Sequence, residues 1–434
     1  MNTEKNMKGY AEFVIKLNDE LNSFLTTPKE AWKETAIKNV NGLAGEELRR
    51  TINLETRREY GAFFTDSLLA NKVLKLLTPT FTAKSVIYDP ACGAGNLLIS
   101  VSDYIQKSNI NFNCKSQLLG TDLHDEFIKA TELRLRTNYL LKQPTHSHKV
   151  FNSLIKQKYS IAKADGLIKN KFYEKATHIF VNPPFNQVIP KEKLSWAKGK
   201  VSAAALFIDK IIQFSNPGVS IIAILPDVLR SGTRYEKWRA MVEKECVIEK
   251  IKLLGQFDKY ADVDVYAVKM TKRLKGISDI IKVKSTTPKK IKQNHTLSDL
   301  FDICVGPVVD YRDEKDGPSR PYLVSRGLEG WSIQNEIERN RKHLGKKTFK
   351  GPFVVIKRTS RMEDSQRAIA TVINVPVPVF IDNHLIVLMP KSKTMRDCRV
   401  ALKTLKDKRT DEWLNDKIRC RHLTVKIVSQ IPVY

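Results

Sequence analysis

The chain has 434 residues, 42% of them hydrophobic, and 74 Lys and Arg against 47 Asp and Glu give it a formal charge of +27. At about 100–200 residues per domain this length predicts two or three domains, and no apolar run approaches the roughly 20 residues of a membrane span. Six scattered cysteines, Cys92, Cys114, Cys246, Cys304, Cys398 and Cys420, form no CxxC pair or His/Cys cluster, which argues against a zinc site and a disulfide framework.

The first residues, MNTEKNMKGY, lack the basic-then-apolar layout of a secretory signal, so a cytoplasmic location is expected. A charge this far from zero favours a polyanionic partner. A membrane surface is not expected, because no helix joins a basic face to a strongly apolar one.

Residues 7–25 place Tyr10, Phe13, Val14, Leu17, Leu21, Phe24 and Leu25 at helical spacing, and Pro28 marks the stop. From residue 67 helices alternate with short apolar strands. A helix over 67–77 precedes a strand over 85–89, a Gly-containing loop and a helix over 96–106. A strand over 117–122, a helix over 125–141 and strands over 160–165 and 178–181 follow. A helix over 203–214, a strand over 220–225, a helix over 233–245 and strands over 248–254 and 263–270 complete the run. Such alternation predicts a mostly parallel sheet covered on both faces. The rhythm stops near residue 271, and 272–297 is Lys-rich and polar. Beyond it the segments are short and β-like, at 352–356, 375–381 and 385–389. The expected domains are a helical segment over 1–54, a catalytic domain over 55–275 and a basic domain over 276–434.

Asp89-Pro90-Ala91-Cys92-Gly93-Ala94-Gly95 places a carboxylate at a strand end, followed by a loop of small residues. Gly93 and Gly95 permit positive φ and close backbone approach. This is the crevice beyond strand C-termini where doubly wound sheets bind ligands. Asp122 ends the next predicted strand and can accept from both hydroxyls of a ribose. Asp165 ends the third and could accept from a ligand's adenine amine.

The strongest signal is Asn182-Pro183-Pro184-Phe185 at the end of the fourth predicted strand. An aromatic amine is a poor nucleophile because its lone pair is delocalised into the ring. The Asn182 side-chain carbonyl and the Pro183 backbone carbonyl can accept its two N–H bonds and draw the nitrogen toward tetrahedral geometry. Proline fixes the backbone there and offers no competing N–H. Phe185 can stack on a base extruded from the duplex.

In this order the two motifs resemble those of N6-adenine DNA methyltransferases, in particular the gamma class of restriction–modification enzymes. The likeness reaches back to Arg58-Glu59-Tyr60-Gly61-Ala62-Phe63-Phe64-Thr65, the segment that in the family contacts the methionine end of the cofactor. Asp66 stands where the family usually has Pro. Downstream, Phe257 before Ala261-Asp262-Val263-Asp264-Val265 resembles the motif whose aromatic stacks on the other face of the adenine; by itself Phe257 reads as core.

The resemblance implies a Rossmann-like α/β methyltransferase domain, a small N-terminal helical segment and a mixed α+β C-terminal target-recognition domain. It implies S-adenosylmethionine as cofactor, held by Phe64, Thr65, Asp89, Pro90, Ala91, Gly93, Gly95, Asp122, Asp165 and Asn182. No metal is implied. Duplex DNA is the expected partner, with a separate restriction endonuclease or specificity subunit beside it. Methylation of RNA or of a protein glutamine, and a catalytically silent DNA-binding subunit, are the alternatives. The basic second domain, with 31 Lys and Arg against 18 Asp and Glu over 276–434, argues against the glutamine enzymes. Residues 339–361 hold Arg339, Arg341, Lys342, Lys346, Lys347, Lys350, Lys357, Arg358 and Arg361 without an acid, and are expected to form a loop tracking the DNA backbone.

Overall fold

The computed structural model describes residues 8–60, 63–108, 110–143, 147–156, 158–257, 263–274, 295–326, 328–360, 366–417 and 423–434. Gly61, Ala62, Ala261, Asp262, Arg361 and Cys420 of the sequence argument lie outside them, as does most of the Lys-rich stretch 272–297. The chain divides into two compact units, Met1–Ile281 and Lys282–Tyr434. The N-terminal helical segment belongs to the first unit. Among the described residues no helix is long and apolar enough to cross a membrane.

The first unit is built on seven strands: β1 (Ile87–Asp89), β2 (Leu118–Asp122), β3 (Ser160–Lys163), β4 (His178–Val181), β7 (Ser220–Pro226), β8 (Cys246–Gln256) and β9 (Asp264–Lys272). A two-stranded hairpin of β5 (Gln187–Val188) and β6 (Val201–Ser202) stands apart from the sheet. The sheet order is β3-β2-β1-β4-β7-β9-β8. Strands β3 through β7 pair in parallel, whereas β9 runs antiparallel to both β7 and β8.

Period-two alternation sends successive side chains to opposite faces. Ile222 and Ile224 of β7 join one core; Ile221, Ala223 and Leu225 join the other. The first core receives the helices Lys8–Asn22, Lys29–Val40, Ser67–Leu77, Asn96–Lys107 and Asp125–Leu141. The second receives Ala203–Phe214 and Glu236–Glu245. Both faces are therefore covered, as parallel strands require.

Several boundaries differ from the sequence reading. The first strand starts at Ile87, because Ser85 instead caps a turn: its Oγ accepts from the Thr82 amide at 2.9 Å. The third strand ends at Lys163, so Asp165 sits in the following loop. The helix expected at 233 opens with a 3-10 turn, Thr233–Tyr235. Asp66 accepts from the Leu69 amide at 2.6 Å and caps the helix Ser67–Leu77. An N-cap thus occupies the position where the family usually carries proline, another helix-starting residue.

The second unit has a five-stranded sheet of β10 (Phe301–Val305), β12 (Ile333–Gln334), β14 (Phe353–Lys357), β15 (Ala370–Ile373) and β17 (Leu385–Pro390), ordered β10-β17-β14-β15-β12. The helix Met395–Lys406 packs on one face through Cys398, Ala401 and Leu405. A three-stranded sheet holds β11 (Ser319–Leu323), β13 (Asn340–Lys342) and β16 (Phe380–Ile381). Of the segment 375–381 only Phe380–Ile381 is strand. The basic run is not a simple loop, since β13 and β14 both lie within it.

Candidate active site

The strand order reverses between β1 and β4, so the connections leaving β1 and β4 part and open a crevice at their C-terminal ends. The loop after β1 is held in place from beneath. Ala91 N–H donates to Asp89 Oδ1 at 3.0 Å, Gly93 N–H to Asp122 Oδ2 at 3.0 Å and Cys92 N–H to the Thr121 carbonyl at 2.9 Å. Gly93 and Gly95 have φ of +52° and +81°. A Cβ on Gly93 would lie 2.7 Å from Phe64 Cε1, and one on Gly95 2.8 Å from Thr131 Cγ2. Both positions therefore need glycine for conformation and for space. Asp89 is 1% exposed, and burial pushes its carboxyl up to about 8, with the nearby Asp122 adding to the rise.

A cleft of about 510 Å³ opens above this loop, a size ordinary for small-molecule sites. Phe64, Pro90, Ala91, Gly93, Asp122, Asp165 and Asn182 line it. Thr65 and Asp89 line a small recess that shares Phe64, Gly93 and Asn182 with the cleft. Gly95 lies behind the loop, against Thr131. Asp165 Oδ1 accepts from the Leu167 amide at 2.9 Å, which fixes the carboxylate although it stands beyond the strand. Sequence reasoning missed Leu123, His124, Phe127 and Phe207 in the lining, whereas Phe63 lies in the segment it had assigned to the cofactor. Leu123 could have been found: it follows the strand-ending Asp122 and is 57% exposed, an apolar residue left open at a strand tip.

The chemistry of this lining fits the cofactor the sequence implies. The Asp122 carboxylate accepts from Gly93 N–H on Oδ2 and from the His124 backbone N–H at 3.1 Å on Oδ1, which also lies 3.1 Å from the His124 ring Nδ1. A carboxylate has about four lone-pair sites, so acceptor capacity remains for hydroxyls in the cleft.

Asn182 follows β4 in the middle of the sheet. Its Nδ2 donates to Thr65 Oγ1 at 2.9 Å and to the Phe63 carbonyl at 3.3 Å. A backbone carbonyl can only accept, so this contact fixes which way the amide points. The Asn182 Oδ1 atom is buried and has no hydrogen-bond partner among the described residues. Pro183 is buried beside it. Phe185 meets Phe257 edge to face, with ring centroids 5.4 Å apart and planes at 80°. Phe257 is 5% exposed and belongs to the first core. The two rings come together as the motifs suggest, but they touch each other and do not present two parallel faces.

A hydrogen-bonded chain unread in the sequence backs Asn182. Asn96 Nδ2 donates to the carbonyl of Thr65, the residue whose hydroxyl receives Asn182. Asn96 Oδ1 accepts from Arg134 Nη1 at 2.5 Å. The buried Arg134 also donates to the carbonyls of Ala94, Asn39 and Val40. Burial lowers its pKa to about 10, which still leaves it charged at neutral pH. Arg134 therefore ties the end of the helix Lys29–Val40 to the glycine loop.

In the second unit, Arg339, Lys342, Lys347 and Lys350 are exposed, and Arg341, Lys346, Lys357 and Arg358 are half-buried. Lys346 pairs with Asp313 at 2.8 Å, and Arg341 lies 3.8 Å from Asp310. The Arg339 guanidinium sits 5.6 Å from the Tyr322 ring centroid, and Lys347 Nζ 5.2 Å from that of Phe349. Part of the basic run is thus already engaged within the unit.

The sequence finds no match among curated proteins. Three solved structures show the range of similarity. The type IIL restriction–modification enzyme MmeI, in complex with DNA, is 13% identical with a TM-score of 0.52; the alignment covers 91% of this chain and 66% of MmeI. The type IIG restriction endonuclease BpuSI is 14% identical over 87% of this chain and 58% of its own, with a TM-score of 0.44. The M protein of the type I restriction enzyme EcoKI is 16% identical over 62% of this chain and 65% of its own, with a TM-score of 0.38. The chain thus spans no more than about two thirds of each of these proteins. The family model for N-6 DNA methylase matches residues 39–266, just over half of the chain and the whole of the site just described. The chain belongs to the N-6 DNA methylase family.

Proposed function

We propose that this chain transfers a methyl group from S-adenosylmethionine to the exocyclic N6 amine of an adenine extruded from duplex DNA, as the modification enzyme of a restriction–modification system in the cytoplasm. The observation that carries the reading is the buried, unpartnered Asn182 Oδ1, whose amide is locked by Thr65 and Phe63. A buried acceptor without a donor costs about 1–3 kcal/mol. A substrate N–H would relieve that cost.

Asn182 Oδ1 would accept one N6–H and the Pro183 carbonyl the other, raising electron density on nitrogen. Phe185, with Phe257 behind it, would hold the ring. Asp122 would accept from ribose hydroxyls and Asp165 from the adenine of the cofactor. Phe64, Thr65, Asp89, Pro90, Ala91 and the glycine loop would hold its methionine end. The cofactor supplies an electrophilic methyl group on a sulfonium. The protein contributes position and fixed dipoles, which is sufficient for an in-line displacement. The second unit would bind duplex DNA through its basic run, consistent with the DNA complex of MmeI. A separate endonuclease or specificity subunit would complete the system. The test is methyl transfer by the purified chain to duplex DNA and to RNA, followed by mapping of the modified base. N6-methyladenine in duplex DNA is expected; modification of RNA alone would overturn the reading.

A further inference from the structure

The chain leaves the sheet after Val181, and just beyond Phe185 it makes a lip. Gln187–Val188 pairs antiparallel with Val201–Ser202, closing a loop over 189–200. Val188 lines the cleft, so the lip begins at the edge of the candidate active site. The loop is fastened from several sides. The buried Trp196 donates from Nε1 to Asp209 Oδ2 at 2.9 Å, and Ser202 N–H donates to the Tyr235 hydroxyl at 3.0 Å. Ala203 N–H donates to the Asn186 carbonyl at 2.9 Å, joining the two ends.

Against this fixed base the loop, from its root at Ile189 onward, exposes an unusual set of side chains. Ile189 is 72% exposed, beside Pro190. Lys191, Lys193, Lys198 and Lys200 are all exposed. The one acid of the loop, Glu192, pairs with Lys210 of the neighbouring helix at 2.6 Å. Among the described residues none of the four lysines has an acidic partner. A single exposed isoleucine is commonplace. Here it is carried on a braced loop that also bears four exposed lysines without an acidic partner among the described residues, and it is set one residue from the cleft.

We propose that this lip enters the DNA duplex, with Ile189 filling the space that the extruded adenine vacates and the four lysines holding the flanking phosphates. The inference rests on the reading that the substrate is an adenine in duplex DNA. Apolar wedges beside base steps are an established way to stabilise an unstacked duplex, and lysines beside them supply the sequence-independent part of the grip.

The test uses the full chain and a duplex carrying a fluorescent adenine analogue at the target position, determined beforehand from the wild type. Ile189→Ala should weaken the flipping signal and lower kcat/KM about tenfold on the matched duplex. On a duplex with an abasic site opposite the target, where extrusion needs no wedge, the variant should equal wild type. Ile189→Met should recover the matched-duplex signal, which a merely structural role would not predict. Changing the four lysines together to Gln should make the salt dependence of log K shallower by about 0.9 for each phosphate no longer neutralised. Equal behaviour of Ile189→Ala and wild type on both duplexes, or an equal loss on both, overturns the wedge. An unchanged salt slope overturns the lysine grip. If the wild type itself modifies no DNA, the proposed function fails first, so the two failures are told apart.

Discussion

Replacing Asn182 separates the acceptor role from structural support. Asn182→Ala removes two donated bonds, to Thr65 Oγ1 at 2.9 Å and to the Phe63 carbonyl at 3.3 Å, and also the buried Oδ1. Neutral hydrogen bonds contribute about 0.5–1.5 kcal/mol each, about 1–3 kcal/mol for the pair, and loss of the unpartnered Oδ1 returns a desolvation cost of about 1–3 kcal/mol, so the two nearly cancel and the fold should change little in stability. The missing acceptor acts in the transition state, and by analogy with an oxyanion-hole donor its removal should cost about 2.7–4 kcal/mol, or 10²–10³ in kcat. Asn182→Asp splits the two effects. A carboxylate still accepts from the substrate amine but cannot donate to Phe63, while the Thr65 hydroxyl can reverse and donate to it. The Asp variant should therefore keep more turnover than the Ala variant while losing more stability, because its second oxygen faces the Phe63 carbonyl in a buried site. Single-turnover methylation gives the rate, calorimetry the cofactor affinity and thermal unfolding the stability. Cofactor affinity should stay within about threefold of wild type, because Asn182 faces the reacting amine. An Ala variant whose single-turnover rate lies within about tenfold of wild type would refute the acceptor role.

Asp122→Ala should weaken cofactor binding by about 1.5–3 kcal/mol, since one partner in the hydrogen bonds it removes is charged; excess cofactor should restore turnover, and calorimetry showing no change would contradict the ribose role. Phe257→Ala should reduce methylation of duplex DNA by removing the edge-to-face support of Phe185, an aromatic contact worth about 0.5–1.5 kcal/mol. A normal flipping signal with a lowered melting temperature would instead mark Phe257 as core. Asp89 has its carboxyl raised from 3.8 to about 8, so between those pH values it is neutral when folded and ionised when unfolded. Its contribution to stability must fall as pH rises through that window. Asp89→Asn should gain melting temperature relative to wild type from pH 4 to pH 8, and a pH-independent difference would count against the buried neutral acid. Lys346 is paired with Asp313, so the phosphate contribution falls to its exposed neighbours. Lys347 and Lys350 changed together to Gln should flatten the salt dependence of log K by about 1.8 on target and non-target duplexes alike.

The parallel half of the first sheet is legible in the sequence because its pieces are long, apolar and sharply punctuated. Ser67–Leu77, Asp125–Leu141, His178–Val181 and Ala203–Phe214 lie where the apolar periodicity places them. Periodicity does not carry the antiparallel direction of β9, although its connection to β8 over 257–263 is too short for a parallel crossover of a dozen or more residues. In the second unit, Asn340–Lys342 has no apolar residue to reveal it as a strand; its place comes from pairing with Ser319–Pro321. At the site, motif chemistry identifies Asn182 but not its support. Arg134 stands 95 residues from Asn39 in sequence, and a buried arginine bonded to carbonyls leaves no local pattern. The edge-to-face contact of Phe185 and Phe257 is likewise invisible, because residue type predicts stacking capacity but not ring orientation.

Asp89, Asp122 and Asp165 place three acids in and behind a cleft of a chain whose net charge is +27. Asp122 and Asp165 turn carboxylates into the cleft, against the sign of the chain as a whole, so on the proposed function the DNA phosphates would meet the basic surface and not this floor. On the same function, a sulfonium seated there would be complemented by these carboxylates and its neutral product would not, so the reaction itself would erase the charge on which that complement rests.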